Sequence, residues 1–430
     1  MAHDTIPSDI PFRTLGPLSG AVKVALAALV VLGTAAVLLT AGTADGRIWQ
    51  ALLFNWLFWS SLAIGMVMFA VALHITNAGW AWSIRRFALG GVAFLPISFL
   101  LLIVVFFGYE HYFHHWLHVE GDHIIDAKRA WLNMPGLVAR DFIAIAILYS
   151  LAIAFVYFSV RPDVYGTRNH RHRALYDRVT RGYRGVNEEV LESKRKLSWI
   201  APVLGISYAI FWGIIAIDLG MSLEPHWFST MFPVAFFWTA FHGGVAATAV
   251  AVTLLRKPLR LEAFITARQF HDLGKLVFAF SVFWMYLNWS QYIVIWYGLL
   301  PHEQEWMVHR FQDPYGTVVI AVIMLVFITP FFGLFTRPPK KVPAILGTFA
   351  ALILLGHWLE RFLLIAPSVW EGPGLPLGIP EIGMGLAFFG VFLTCYLWFV
   401  SRFPLLPSPM TLAAADQAVI EVPVEPAARR

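Results

Sequence analysis

Cysteine and charge are both scarce in this 430-residue chain. Its one cysteine, Cys395, sits inside an apolar stretch. An iron–sulfur cluster needs several thiolates and a zinc ribbon needs paired ones, so the chain supplies neither. Asp, Glu, Lys and Arg make up 13% of the residues and hydrophobic types 59%, with 36 Phe, which excludes an ordinary soluble domain and indicates a polytopic membrane protein. The opening MAHDTIPSDIPFRTLGPLSG has no charged region leading directly into a short apolar core, so no cleaved signal peptide is expected and the first apolar segment should be retained. Haem is not expected either: His74, His242 and His357 fall on separate apolar segments, and no single segment supplies two histidines at different depths. Any redox centres should lie in neighbouring chains.

Ten stretches are long enough to span a bilayer: 21–40, 53–75, 87–109, 139–160, 199–221, 227–254, 273–298, 315–335, 342–366 and 381–400. The expected fold class is therefore all-α, with a cytoplasmic N-terminal segment (1–20), a membrane domain (21–403) and a disordered Pro- and Ala-rich cytoplasmic tail (404–430). Counting Lys and Arg in alternate connections places 25 of the 31 on the side of both termini, ten of them in the basic loop 161–198. The opposite side holds Arg47, Lys128, Arg129, Arg140 and Arg310. The positive-inside rule then predicts both termini in the cytoplasm, and a missed or invented span would scramble this split. The net charge of +5 is accordingly a membrane signature, a basic loop lying near anionic lipid or docking a soluble partner, with no nucleic-acid partner implied.

Within this apolar frame the polar residues carry the information. Asn288 and Gln291 lie near mid-depth of the seventh stretch, three residues apart and on a face with Trp284, while Trp296 and Tyr297 end it. Such amides need a protein partner or water, and the simplest reading is that they link neighbouring helices. Towards the non-cytoplasmic side fall Asp218, Glu224, His226, His357, Glu360 and Arg361, with Glu224 and His226 at a hairpin where they can simply cap the turn. Carboxylates beside imidazoles make a proton relay, so Asp218, His357 and Glu360 are the prime candidates. His242, followed by Gly243 and Gly244, is either a relay member or a packed, hydrogen-bonded histidine where two helices approach closely. On the cytoplasmic side His74, Asp272 and Lys275 are candidates for proton entry, the last two also readable as an ion pair. The 110–138 link carries His111, His114, His115 and His118 at helical spacing; no carboxylate or cysteine completes an obvious ligand set, so a polar face of an interfacial helix is expected and no metal.

The runs DLGKLVFAFSVFWMYLNWSQYIVIWYG (272–298) and DLGMSLEPHWFSTMF (218–232), with Lys128, Leu132, Asn133, Pro135 and Arg140 in the third-to-fourth link, resemble the NrfD-like family of polysulfide-reductase-type membrane subunits. Within it they are most similar to the ActF-type second membrane subunit of bacterial alternative complex III, a quinol:cytochrome c (or other acceptor) oxidoreductase. The resemblance implies two four-helix bundles, helices two to five and six to nine, flanked by the first and tenth. It also implies a second NrfD-like subunit, multihaem cytochrome and iron–sulfur chains as partners in a bacterial inner membrane. Its implied ligand is a quinone, menaquinone or ubiquinone, for which Asn288, Gln291, Trp284 and Tyr297 are the candidate contacts if they are not helix links, with no covalently bound cofactor. Leu299 and Leu300 stand where the family has an Asn and its neighbour, and the basic loop is longer than the family pattern.

The function expected is thus a subunit of a quinol-oxidising complex, contributing quinol binding, proton conduction or both, and not catalytic alone. Two alternatives stay open. Pro96, Pro202, Pro233 and Pro330 are compatible with the broken helices of a secondary transporter, although they do not fall at matching places in two halves. A purely structural anchor is the other.

Overall fold

The computed structural model describes residues 10–40, 42, 46–164 and 172–408. Ten long helices run through it: α1 (Gly20–Thr40), α2 (Arg47–Ile75), α3 (Arg85–Phe106), α4 (Met134–Val164), α5 (Val186–Leu219), α6 (Phe232–Leu255), α7 (Ala267–Gly298), α8 (Gly316–Gly333), α9 (Pro343–Val369) and α10 (Ile379–Val400). Nine of them, among the described residues, are long and apolar enough to cross a membrane. The exception, α7, is 32 residues long but carries Arg268, His271, Asp272, Lys275, Asn288 and Gln291, which dilute its hydropathy. With no strand among the described residues, the chain is an all-α polytopic membrane protein.

Helix α2 is the hub, buried along almost its whole length and packed on α5, α6, α9 and α10. Helices α2–α5 and α6–α9 form two groups joined by the α2–α6 crossing, and α1 pairs with α10 on the flank. Glycine permits the crossing: a Cβ on Gly244 would stand 2.1 Å from the Gly65 carbonyl carbon, and one on Gly65 would stand 1.9 Å from the Ala240 oxygen. Bare backbones therefore touch here, the small-residue contact by which membrane helices gain dispersion energy where lipid supplies no hydrophobic drive. Prolines mark the irregular spans. α3 opens through a 3₁₀ stretch, Gly90–Phe94, ahead of Pro96, and α8 widens to a π turn, Met324–Ile328, ahead of Pro330, because proline lacks the amide that would continue the ladder.

The two ends differ. At the basic end, buried Arg86 donates to the Asp163 carboxylate, to the Ser159 carbonyl at 3.1 Å, and to the carbonyls of Pro404 at 3.1 Å and Leu406 at 3.2 Å. The stretch expected to be disordered from Pro404 is therefore packed through residue 408, with Leu405 and Leu406 buried, because Arg86 supplies donors that its carbonyls satisfy. Residues 409–430, like 1–9 and 165–171, lie outside the described residues. The basic loop is also shorter than expected. α5 begins at residue 186, and Arg161 clamps Glu189 through two hydrogen bonds of 2.7 and 3.0 Å.

At the opposite end the histidine-rich link is not one helix with one polar face. It breaks at Phe113 into Tyr109–Tyr112 and His114–Leu117, since burying Phe113, Tyr112 and Trp116 turns the chain. His111 stacks on Trp49 with ring centroids 6.0 Å apart, whereas His114 and His115 turn to the segment after α9.

Asp122 caps the short helix His123–Lys128 by accepting from the amides of Ile124 (2.8 Å) and Ile125 (3.1 Å), and its other oxygen meets His226 Nε2 at 2.7 Å. The His226 hydrogen bond, then the Ile125 amide, hold the Asp122 carboxyl below its ordinary range. A carboxyl depressed on folding stabilises the fold above its unfolded pKa, and this contribution disappears as pH falls through the folded one. Asp122→Asn should therefore lower the melting temperature at neutral pH, with the deficit closing below about pH 4. A deficit independent of pH in paired melts would remove the linkage.

Candidate functional site

A chain of hydrogen bonds crosses three helices of the second group. Ser281 Oγ on α7 lies 3.3 Å from His242 Nε2 on α6, and His242 Nδ1 lies 3.0 Å from His357 Nε2 on α9. His357 Nδ1 then meets Glu360 Oε2 at 2.8 Å, one helical turn on. The other Glu360 oxygen accepts from Thr239 Oγ1 and from Trp284 Nε1, each at 3.1 Å. His242 and His357 are buried, while 19% of the Glu360 side chain stays open to an adjoining cavity.

The sense of the chain follows from the carboxylate, which when ionised only accepts. His357 Nδ1–H must then donate to Glu360; with both rings neutral, His357 Nε2 accepts from His242 Nδ1–H, and His242 Nε2 faces the Ser281 hydroxyl, which the Val277 carbonyl also engages at 3.1 Å. Both imidazole N–H groups then point towards Glu360. A proton delivered at one end can leave from the other by reversing these bonds, so the geometry can move a proton without moving a heavy atom far.

The cavity, about 400 Å³, is walled by aromatic side chains of α6, α7 and the short helix Pro301–Phe311, including Trp284, Tyr292, Trp296 and Trp306. Its polar groups are Asn288, Gln291, Glu360, Arg310 and Arg361. Arg361 lies over the Phe236 ring at 3.8 Å and donates to the Phe236 carbonyl at 3.1 Å. Arg310 lies over Trp306 at 4.0 Å and donates to Ser368 Oγ at 2.6 Å, with Glu224 supplying negative charge nearby. Trp306 and Arg310 enter from the 299–315 connection, where nothing in the sequence marks them for the cavity.

Asn288 and Gln291 share the cavity face with Trp284, as their spacing predicts, yet they are not both helix links. Asn288 donates to the Trp284 carbonyl of its own helix at 2.9 Å, and Gln291 is bridged to Ser229 at 3.3 Å. Tyr297 is 81% exposed and stands apart from the cavity, because the helix turns it outward.

Asp218 does not join His357 and Glu360; its helix, α5, belongs to the first group. There Arg140 grips it in two bonds of 2.8 and 2.9 Å, Trp131 Nε1 donates at 2.7 Å, and the Trp131 ring stacks on the Arg140 guanidinium at 4.0 Å. Beside it is a residue the sequence reading passed over, Asp141, fully buried with no donor on either oxygen and within reach of the Asp218 carboxyl. Asp141 directly follows Arg140 near the start of a span, where it reads as an end charge; only the fold turns it inward.

Glu224 and His226 sit at the hairpin, and His226 is engaged by Asp122. At the basic end Asp272 and Lys275 form an ion pair of 2.6 Å, with His271 3.7 Å from the same carboxylate, and His74 packs edge-on to Phe155. A step of six positions along α7, about 9 Å of helix, separates Lys275 from Ser281, so these groups lie short of the chain. His242 and His357, on separate segments of the sequence, are brought together: helices distant in sequence cross here, and the two rings bond one another. No protein-family model matches the sequence, and no curated protein is significantly similar to it.

Proposed function

We propose that this chain is an integral subunit of a quinol-oxidising respiratory complex in a bacterial inner membrane, with both termini cytoplasmic, and that its second helix group receives the protons released by quinol. The observation that carries this reading is the Ser281–His242–His357–Glu360 chain opening at Glu360 onto an apolar cavity. Ligand pockets of about 300–1,000 Å³ hold ring systems between apolar walls and a few convergent polar groups, and this cavity has that character.

Oxidation of a quinol to a quinone releases two protons and two electrons. The electrons pass to redox centres in partner chains, a multihaem cytochrome and iron–sulfur subunits beside a second NrfD-like chain. A proton leaving a quinol oxygen needs a base within hydrogen-bond reach, and Glu360 is placed for that role. Trp284 and Thr239 hold one carboxylate oxygen, which fixes the other on His357. The Asn288 and Gln291 amides offer polar contacts for the ring oxygens, and the aromatic wall excludes water. Opposite charge from Arg361 and Arg310 steadies the anion that forms as the proton departs.

Isolation in mild detergent tests the reading. The chain should bring haem- and iron–sulfur-containing partners with it and retain extractable quinone, and the retained quinone should fall several-fold in the double variant Asn288→Leu, Gln291→Leu. A solitary, quinone-free chain would reject it, and quinone retained equally by the variant would move the ligand elsewhere.

A further inference from the structure

The sequence offers histidines in the 110–138 link without a carboxylate to complete them; the fold brings one. Glu371, just beyond α9, approaches His114, and one nitrogen each of His114 and His115 and one Glu371 oxygen lie within 4.8 Å of one another. The two imidazole rings are 4.0 Å apart. We propose that His114, His115 and Glu371 form a binding site for a divalent ion of the imidazole-preferring class, Zn²⁺ above all, at the end of the molecule opposite the basic one.

Three observations bear on it. Each histidine has one ring nitrogen set against a backbone carbonyl: His114 Nδ1 on His111 O and His115 Nε2 on Ser368 O, both at 3.1 Å. In the neutral rings those nitrogens carry the N–H, so the lone pairs of His114 Nε2 and His115 Nδ1 are left for a ligand. This is the outer-shell arrangement that orients metal-binding histidines. His114 Nε2 is also buried without a hydrogen-bond partner, and 3.4 Å away is a carboxylate oxygen, an acceptor facing an acceptor. That contact is repulsive unless a cation lies between.

The third observation is metric. Zinc bonds of about 2.0–2.1 Å in a tetrahedron put ligand atoms about 3.3 Å apart, close to the 3.4 Å found between His114 and Glu371. No two of the three ligand atoms lie more than 4.8 Å apart, so adjustments of at most about 1.5 Å bring them to that spacing. Two nitrogens and one oxygen suit zinc over magnesium or calcium, which take oxygen ligands. The fourth position is left to water. Occupied, the site would staple the third-to-fourth link to the end of α9, two segments about 250 residues apart in the chain.

The competing account places a proton between His114 and Glu371, and titration separates the two. Chelator-treated full-length chain in detergent should bind one Zn²⁺ at micromolar concentration or below, by calorimetry, and Mg²⁺ in excess should not compete. His114→Ala and Glu371→Gln should each weaken binding at least tenfold while keeping the parent's elution volume and helical circular dichroism. Zn²⁺ should raise the melting temperature of the parent and of neither variant. Absence of Zn²⁺ binding by the parent, or equal affinity in both variants, overturns the proposal.

Discussion

Glu360→Gln is expected to slow quinol-dependent electron transfer in the assembled complex about 10²-fold, the lower range for loss of a positioned general base. Glutamine fills the same volume and can keep an oxygen on Thr239 and Trp284, so the helices should remain packed and the complex intact. It cannot take up a proton. Its amide nitrogen would face His357 Nδ1, donor against donor, unless the imidazole changes tautomer, and that change reverses the chain back through His242 to Ser281. Glu360→Asp should recover part of the rate, with proton release and electron transfer moving together. Turnover at the parent rate in the Gln variant, in a complex shown to be complete, would leave the second helix group without its proposed proton role.

How much of this was legible beforehand depends on which interaction decides each feature. Spans are written in runs of apolar residues about 20 long, a local property; helices stand at all ten expected stretches, and nine of them, among the described residues, are apolar enough to cross a membrane. The partnership of His357 with Glu360 is also local, being one turn of one helix. His242 is different: its bond to His357 depends on α6 and α9 crossing beside α2, which the glycine pair Gly65 and Gly244 permits. Gly243 and Gly244 signal a close approach but not the helix that approaches. Asp218 shows the opposite error. Depth along a span groups it with Glu360, but depth says nothing of rotation around the bundle, and its partners Arg140, Trp131 and Asp141 come from a link and a helix of the first group. Glu371 is hardest to foresee, because only the path of a loop brings it to His114. Arg86, which reads as one more positive charge near a membrane surface, is the interior clamp of the basic end.

That clamp should be where a single substitution costs the fold most. Arg86 leaves 2% of its side chain exposed, as does Asp163, so both charges are out of water and each depends on the other. Removing one partner of such a pair costs about 3–5 kcal/mol, because the remaining charge stays buried or must be neutralised. Arg86→Met keeps the apolar stem but removes at once the guanidinium donors to Asp163, Ser159, Pro404 and Leu406, leaving Asp163 the Ser408 amide at 2.7 Å. The stretch 404–408, held by its carbonyls, should detach with it. Thermal melts in detergent should show a large drop for Arg86→Met, and limited proteolysis should cut near residue 404 in the variant before the parent. The double variant Arg86→Met, Asp163→Leu should recover much of the loss, since exchanging both members of a buried pair for apolar groups can be close to neutral. If Arg86→Met melts with the parent, the basic end is held by its apolar contacts alone; if the double variant is no better than the single, the lost carbonyl bonds outweigh the stranded carboxylate.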